Sequence, residues 1–369
     1  MAHTVDIFLQ KMGCSYDRGN GLVFFDYCEL AFTLFFTVST YPTIADSTEN
    51  LSIRLYGVLC LLIEVHIFAF IAVRIYHQSQ HRDMYQCSQV VEIPENYKRK
   101  IAMVIKHYFI ISNVFVSVSV LYTVSLDWVR IGDPFTFPFI DVLPIKTTNV
   151  TVYVCKYILY ALPVYFAHLE ICFLNVTFVY STGVVQRHFQ ILDEQVEEAI
   201  VNEDEQKLKI AIKHHIEVLK YFKDMKTVYE KPILITIEFC GLYVGLTSCF
   251  VIQVIQGYIH QIILGLCIVS SMACLMTIII YCIYASNMYD LHNGILHVLF
   301  EHQTCYSQNK SFKRLILSMM TRATIPLEFK SGSLFTINLN LLVKILKFAY
   351  TVFNVLLTSI NRQFKETAI

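Results

Sequence analysis

Charge is scarce in this chain. Only 16% of its 369 residues are Asp, Glu, Lys or Arg, while 55% are hydrophobic. Soluble domains carry about a quarter charged residues, so the shortfall argues for an integral membrane protein. Basic and acidic residues balance at 29 each, with no basic block, which argues against nucleic acid as a partner. The 12 cysteines form no CxxC pair and no Cys/His metal spacing, so neither zinc nor a disulfide framework is indicated. Most of them, among them Cys60, Cys240, Cys249, Cys267, Cys274 and Cys282, sit within apolar runs as small hydrophobes. Met1 to Asn20 lack the apolar core of a cleavable signal, so the first apolar segment is expected to act as its own anchor. Nucleophile–base pairs, phosphate loops and intramembrane His/Asp clusters are missing, which argues against an enzyme and implies no cofactor. The halves of the chain do not repeat one another, which argues against a transporter.

Long apolar runs are what the chain does have. A helix needs about twenty mostly apolar residues to cross a bilayer, and seven segments qualify: 22–42, 54–76, 104–126, 152–180, 233–256, 262–285 and 334–360. The runs are too long and too unbroken for alternating strands. Lys and Arg set their direction. Twenty lie in the N-terminal segment and the connections after spans 2, 4 and 6: Lys11, Arg18, five from Arg74 to Lys100, eight from Arg187 to Lys231 and five from Lys310 to Lys330. Five fall on the other side: Arg54, Arg130, Lys146, Arg362 and Lys365. The expected fold is an all-α membrane protein of seven transmembrane helices with a cytoplasmic N-terminus and an extracellular C-terminus. A G-protein-coupled receptor would have the opposite direction. The sequons at Asn50 and Asn149 fall in connections expected outside and are candidate glycosylation sites, whereas those at Asn175 and Asn309 read as chance matches.

The expected organisation is a cytoplasmic N-terminal segment (1–21), spans 1–4 (22–188, with a Pro/Phe-rich extracellular connection at 127–150), a cytoplasmic helical region (189–232), spans 5–6 (233–285), a second cytoplasmic region (286–330), and a last helix with a short outer tail (331–369). In the first cytoplasmic region Leu208, Ile212, Ile216, Leu219 and Phe222 recur at helical steps. The acidic-to-basic change suits two helices about a turn near Asn202, Glu203 and Asp204. His214 and His215 are neighbours, which point to different faces of a helix, and read as solvated residues rather than metal ligands. His77 and His81, four residues apart, lack a third ligand nearby. "KSFKRLILSMMTRATIP" reads as a short basic helix ending near Pro326. The two regions are expected to form one anchor layer beneath the membrane.

The last span is apolar enough for a bilayer yet rich in polar residues. Winding 333–362 as a helix places Ser333, Thr336, Asn340, Lys344, Lys347, Thr351, Asn354, Thr358, Asn361 and Arg362 on one stripe, with Val355 beside it. Phe335, Leu339, Leu342, Ile345, Leu346, Ala349, Phe353, Leu356 and Ile360 fall opposite. Such a stripe faces protein or water rather than lipid. Burying two unpaired ammonium groups costs several kcal/mol, which favours a water-filled path over a dry seam. One helix cannot enclose a pore, so several subunits are expected to contribute one each.

These features resemble the insect odorant receptor family. Its landmarks are Tyr281-Cys282 with Ala285-Ser286-Asn287, "MMTRATIPLEFKSGSLFTINL", the closing "LVKILKFAYTVFNVLL", "DPFTFPFIDVLP" and "IKHHIEVLKYFKDM". The stretch "YDLHNGILHVLFEHQTCYSQ" departs from the family pattern, and "FAYTVFNVLL" lacks the Gln-Phe of the related gustatory receptors. The short connection after span 4 resembles an odour-tuning subunit rather than the shared co-receptor. The resemblance implies a ligand-gated, tetrameric, non-selective cation channel at the cell membrane of sensory neurons, assembled with that co-receptor. Its gate is carried onto Val355, Thr358 and Ser359, with Lys344, Lys347, Thr351 and Asn354 along the same stripe. It also implies that a volatile ligand binds in the outer half of the bundle. There the candidates are Tyr56, Cys60 and Ile63 (span 2), Ser117, Leu121 and Tyr122 (span 3), Tyr160 and Val164 (span 4), and Ile268, Met272, Leu275 and Met276 (span 6), though each taken singly reads first as ordinary core packing. Glu64 and Glu170 are intramembrane acids, each expected to pair with an Arg or Lys near the membrane edge that the sequence does not name.

Overall fold

A computed structural model describes residues 51–76, 149–255, 261–303, 309–331 and 335–367, with helical residues also between 30 and 41 and between 96 and 117. For some helical residues it describes the backbone only. The ordered elements are α1 (Leu51–Tyr76), α2 (Val150–Val201), α3 (Glu205–Ile255), α4 (Gln261–Gln303), α5 (Lys310–Ala323), β1 (Lys330–Ser331), β2 (Phe335–Thr336) and α6 (Leu339–Thr367).

Spans 4, 5 and 6 do not stop where hydropathy places their inner ends. They run on as single helices of 52, 51 and 43 residues. At 1.5 Å per residue, α2 and α3 are each roughly 75–80 Å long, more than twice a hydrocarbon core of about 30 Å. No break in these helices marks the expected division between spans and cytoplasmic helices. Pro232 lies inside α3 without ending it. The Thr236 hydroxyl donates to the Pro232 carbonyl at 2.9 Å.

Capping chemistry fixes the ends. Asn149 starts α2, its Oδ1 accepting the Val152 amide at 2.9 Å. The reversal between α2 and α3 falls at Asn202–Asp204. Asn202 closes α2, Glu203 takes a positive φ of 48°, and Asp204 Oδ1 accepts the Gln206 and Lys207 amides at 2.9 and 3.1 Å. A Lys207–Glu198 ion pair spans the turn. Asn309 caps α5 in the same way, accepting the Ser311 amide at 2.9 Å.

The core centres on Phe178 of α2, which meets Tyr229 of α3, Tyr281 of α4 and Phe329 edge-on at 5.5, 5.1 and 5.5 Å. Such aromatic contacts add stability beyond the area they bury. Phe329 leads into an antiparallel hairpin, Lys330 opposite Thr336 and Ser331 opposite Phe335. The Ile337 amide closes it on the Phe329 carbonyl at 2.8 Å.

Two expectations about faces need correction. The buried line of α3 runs Leu208, Ala211, His215, Val218 and Phe222, while Ile216 is exposed. His215 therefore occupies a core position instead of a solvated one, and His214 is half-buried. The rule that adjacent residues face different ways still holds, but both faces have protein against them. The last helix, moreover, does not begin at 333: Phe335 and Thr336 form a strand, and α6 starts at Leu339 behind Asn338, whose Oδ1 accepts the Leu341 amide at 3.1 Å.

Candidate pore helix and ligand-contact residues

The seat of α6 is set by two glycines on α3. Gly241 lies against Ile345 and Phe348, and Gly245 against Val352 and the Ala349 carbonyl. Small residues four apart allow two helix backbones to approach closely. Leu341, Ile345 and Ala349 are buried on this seam.

Away from the seam, Asn340, Lys344, Lys347, Thr351 and Thr358 are exposed, Asn354 is half-buried, and Val355 is 60% exposed. Ser359 is helical, but its side chain lies outside the described residues. Apolar Leu339, Val343, Leu346, Phe348 and Tyr350 are exposed too, so the uncovered arc is wider than the polar stripe. The Thr351 and Thr358 hydroxyls donate to the carbonyls of Lys347 and Asn354 at 2.9 and 2.8 Å. This arrangement satisfies them within the helix. At the start of α6 a groove of about 520 Å³ is lined by Phe335, Thr336, Asn338, Asn340, Lys344 and Lys347 among others.

The ligand-contact candidates are placed less completely. Tyr56, Cys60 and Ile63 lie on α1, and Tyr160 and Val164 on α2, with side chains outside the described residues. Leu121 and Tyr122 lie outside them altogether, as does the sequon at Asn50 and the pair His77 and His81. Ser117 is helical and exposed. On α4, Ile268, Met272 and Met276 form one exposed line at four-residue steps, with Leu275 half-buried beside it. Glu64 is half-buried on α1, and the side chain of Glu170 is not among those described.

Polar contacts that sequence reading passed over join the bundle instead. Asn175, fully buried on α2, donates through Nδ2 to the Tyr108 hydroxyl at 2.6 Å and to Thr277 Oγ1 of α4 at 3.1 Å. The Tyr165 hydroxyl reaches Asn113 Oδ1 at 3.3 Å, and Thr247 of α3 bonds Ser271 of α4. Lys156, on the same stretch of α2 as Tyr153 and Tyr157, is buried with them. The available signal was a lone polar residue in an apolar run; at Asn175 it was masked by a sequon.

A family profile described as 7tm Odorant receptor matches residues 75–350. The chain belongs to the odorant receptor family. Members are membrane receptors of olfaction that act as ligand-gated ion channels, not enzymes. The fold of this odorant receptor is similar to two solved structures of the insect olfactory receptor OR5 from Machilis hrabei. The complex with eugenol superposes with a TM-score of 0.74 at 15% identity, covering 90% of this chain and 88% of that one. The other OR5 structure gives 0.74 at 13% identity over 96% and 99%. No curated protein matches the sequence. Among the described residues of this receptor, Ser271–Glu301 of α4 is long and apolar enough to cross a membrane.

Proposed function

We propose that this odorant receptor is an odour-tuning subunit of a non-selective cation channel in the plasma membrane of sensory neurons. It crosses the membrane seven times, with its N-terminus inside and its C-terminus outside, and assembles with the odorant receptor co-receptor into a tetramer. A volatile ligand binds in the outer half of the helix bundle and shifts the closed–open equilibrium by binding the open state better. The last helix lines the central pore, with Val355, Thr358 and Ser359 at its gate. Asn50 and Asn149 carry glycans on the outer face.

The observation that carries this reading is α6 itself. One side is seated on Gly241 and Gly245, and the other presents Lys344, Lys347, Thr351 and Thr358 uncovered by any part of the described chain. Ammonium groups on a membrane helix demand water or protein, and a central axis shared by several subunits supplies water. The related OR5 structure holds eugenol, which supports a small volatile as the ligand class here.

The deciding experiment records currents from cells expressing this chain with and without the co-receptor, across an odour panel. Odour-evoked cation current that requires both chains is the expected result. Surface expression without current in either case would overturn the proposal.

A further inference from the structure

A cluster of four histidines lies in the anchor layer where α2, α3 and α4 meet. His188 of α2 is 5% exposed, and His215 of α3 and His292 of α4 are 0% exposed. The His215 and His292 rings stack with centroids 5.8 Å apart and planes 25° apart. Phe189 meets them edge-on at 6.5 and 5.4 Å. Alongside, His188 Nδ1 lies 3.0 Å from His214 Nε2, and His214 Nδ1 lies 3.0 Å from Gln195 Oε1.

This arrangement is built for neutral rings. With Gln195 Oε1 accepting, His214 carries its proton on Nδ1; its Nε2 then accepts from His188 Nδ1–H. A second proton on His214 would set N–H against N–H unless His188 moved its own proton to Nε2, which is buried without a partner among the described residues. Both ring nitrogens of His215 and of His292, and Nε2 of His188, are buried with no hydrogen-bond partner among the described residues. A neutral imidazole tolerates such a site far better than a charged one.

The charges around the cluster oppose protonation as well. His215 feels His292 and His214 together with Arg322 of α5, and His188 feels His214 and Arg187. Among the described residues, Glu217 on α3 acts on the cluster through His214, and it approaches Lys213 at 4.0 Å. On α2, Glu197 and Glu194 act on Asp193, and Glu194 approaches Arg187 at 4.0 Å. Glu301 of α4 turns to His297 at 3.4 Å, and Glu328 before β1 pairs with Lys330 at 3.0 Å.

We propose that this cluster makes the anchor layer acid-sensitive, so that proton uptake by His188, His214, His215 and His292 parts α2, α3 and α4 at that level. Burial holds His188, His215 and His292 down to about 4, with neighbouring cations adding to the effect at His188 and His215. Any state that exposes these rings restores ordinary basicity and is favoured by acid. That the acid sensed is cytosolic rests on the topology proposed above; the acid sensitivity itself does not.

The test is hydrogen–deuterium exchange on the purified full-length receptor in phosphatidylcholine nanodiscs at pH 7.5 and 5.5, corrected for the intrinsic pH dependence of exchange. Opening within 186–222 and 286–300 is expected to rise at least about tenfold at pH 5.5, where an exposed histidine of ordinary pKa is about ten times more often charged than neutral. The α3–α6 seam around Gly241 and Ala349 serves as reference and is expected to change little. The double variant His215→Phe/His292→Phe, which keeps the ring contacts without titrating nitrogens, is expected to lose most of the rise. A wild-type rise no larger than that of the seam, or an equal rise in the variant, overturns the proposal. Should the variant not fold, the wild-type comparison decides alone. A C-terminal tag found inside intact cells would overturn the topology while leaving this result standing.

Discussion

Gly245 and Val352 stand so close that a methyl group on the glycine would lie 2.9 Å from both Cβ and Cγ1 of the valine. Neither atom ends a flexible side chain, so the helices themselves must part. Gly245→Ala is expected to destabilise the receptor by about 1–3 kcal/mol, read as a lower thermal midpoint. Gly241→Ala meets a Phe348 ring atom at 3.3 Å and is expected to cost less, because the ring can swing away. Val352→Gly, which removes both Cβ and Cγ1, should restore much of the clash component of Gly245→Ala, a coupling that a double-mutant cycle measures. Additive effects would show that the seam is not the cause.

Asn175 reaches Tyr108 and Thr277 through its amide nitrogen. Asn175→Asp keeps the shape, removes that donor and places a carboxylate in a buried site. The expected loss is about 2 kcal/mol or more, seen as reduced surface expression and a lower thermal midpoint. Unchanged stability would remove the network from the account of the bundle.

At Asn149 a cap and a sequon coincide and can be separated. Its side chain caps α2, and its sequon is completed by Thr151. Thr151→Ala is expected to abolish an endoglycosidase-sensitive mass shift and leave the helix intact. Asn149→Ala should lose both, with about 1 kcal/mol from the cap. A mass that does not respond to either substitution would remove Asn149 from the outer face.

Lys347 tests the pore reading. If the exposed stripe borders the conduction path, Lys347→Glu is expected to raise cation permeability and change the current–voltage relation. Selectivity identical to the wild type would place the stripe in a subunit contact away from the ions.

Acid stability follows from the three histidines held at about 4. Unfolded, they titrate near the ordinary value of about 6.5, so unfolding takes up protons between these limits. Their contribution is complete above about pH 6.5 and is lost as the pH falls toward 4. The thermal midpoint is expected to drop between pH 7.5 and 5, and a flat profile over that range would contradict the burial of the cluster.

The turn at Asn202–Asp204 and the short helix at Lys310–Ala323 were legible because capping residues and charge changes are local. The family was legible because its landmarks are spread along the chain. The unbroken run of α2 and α3 beyond their apolar segments was not, since hydropathy reports surroundings and the backbone hydrogen bonds of a helix are indifferent to them. His215 was misjudged because an apolar face at three- and four-residue steps can be continued by an imidazole once a second ring, His292, covers it from a distant helix. The hairpin before α6 was missed because two-residue strands carry no period of their own.

Helices this long act as stiff rods. If α2 is roughly 78 Å long, a tilt of about three degrees at its outer end would move its inner end by about 4 Å. On the function proposed above, a volatile molecule that nudges one end of the bundle would need no chain of rearranging side chains to be felt at the other. The four histidines lie along this lever, His188 well before the end of α2 at Val201.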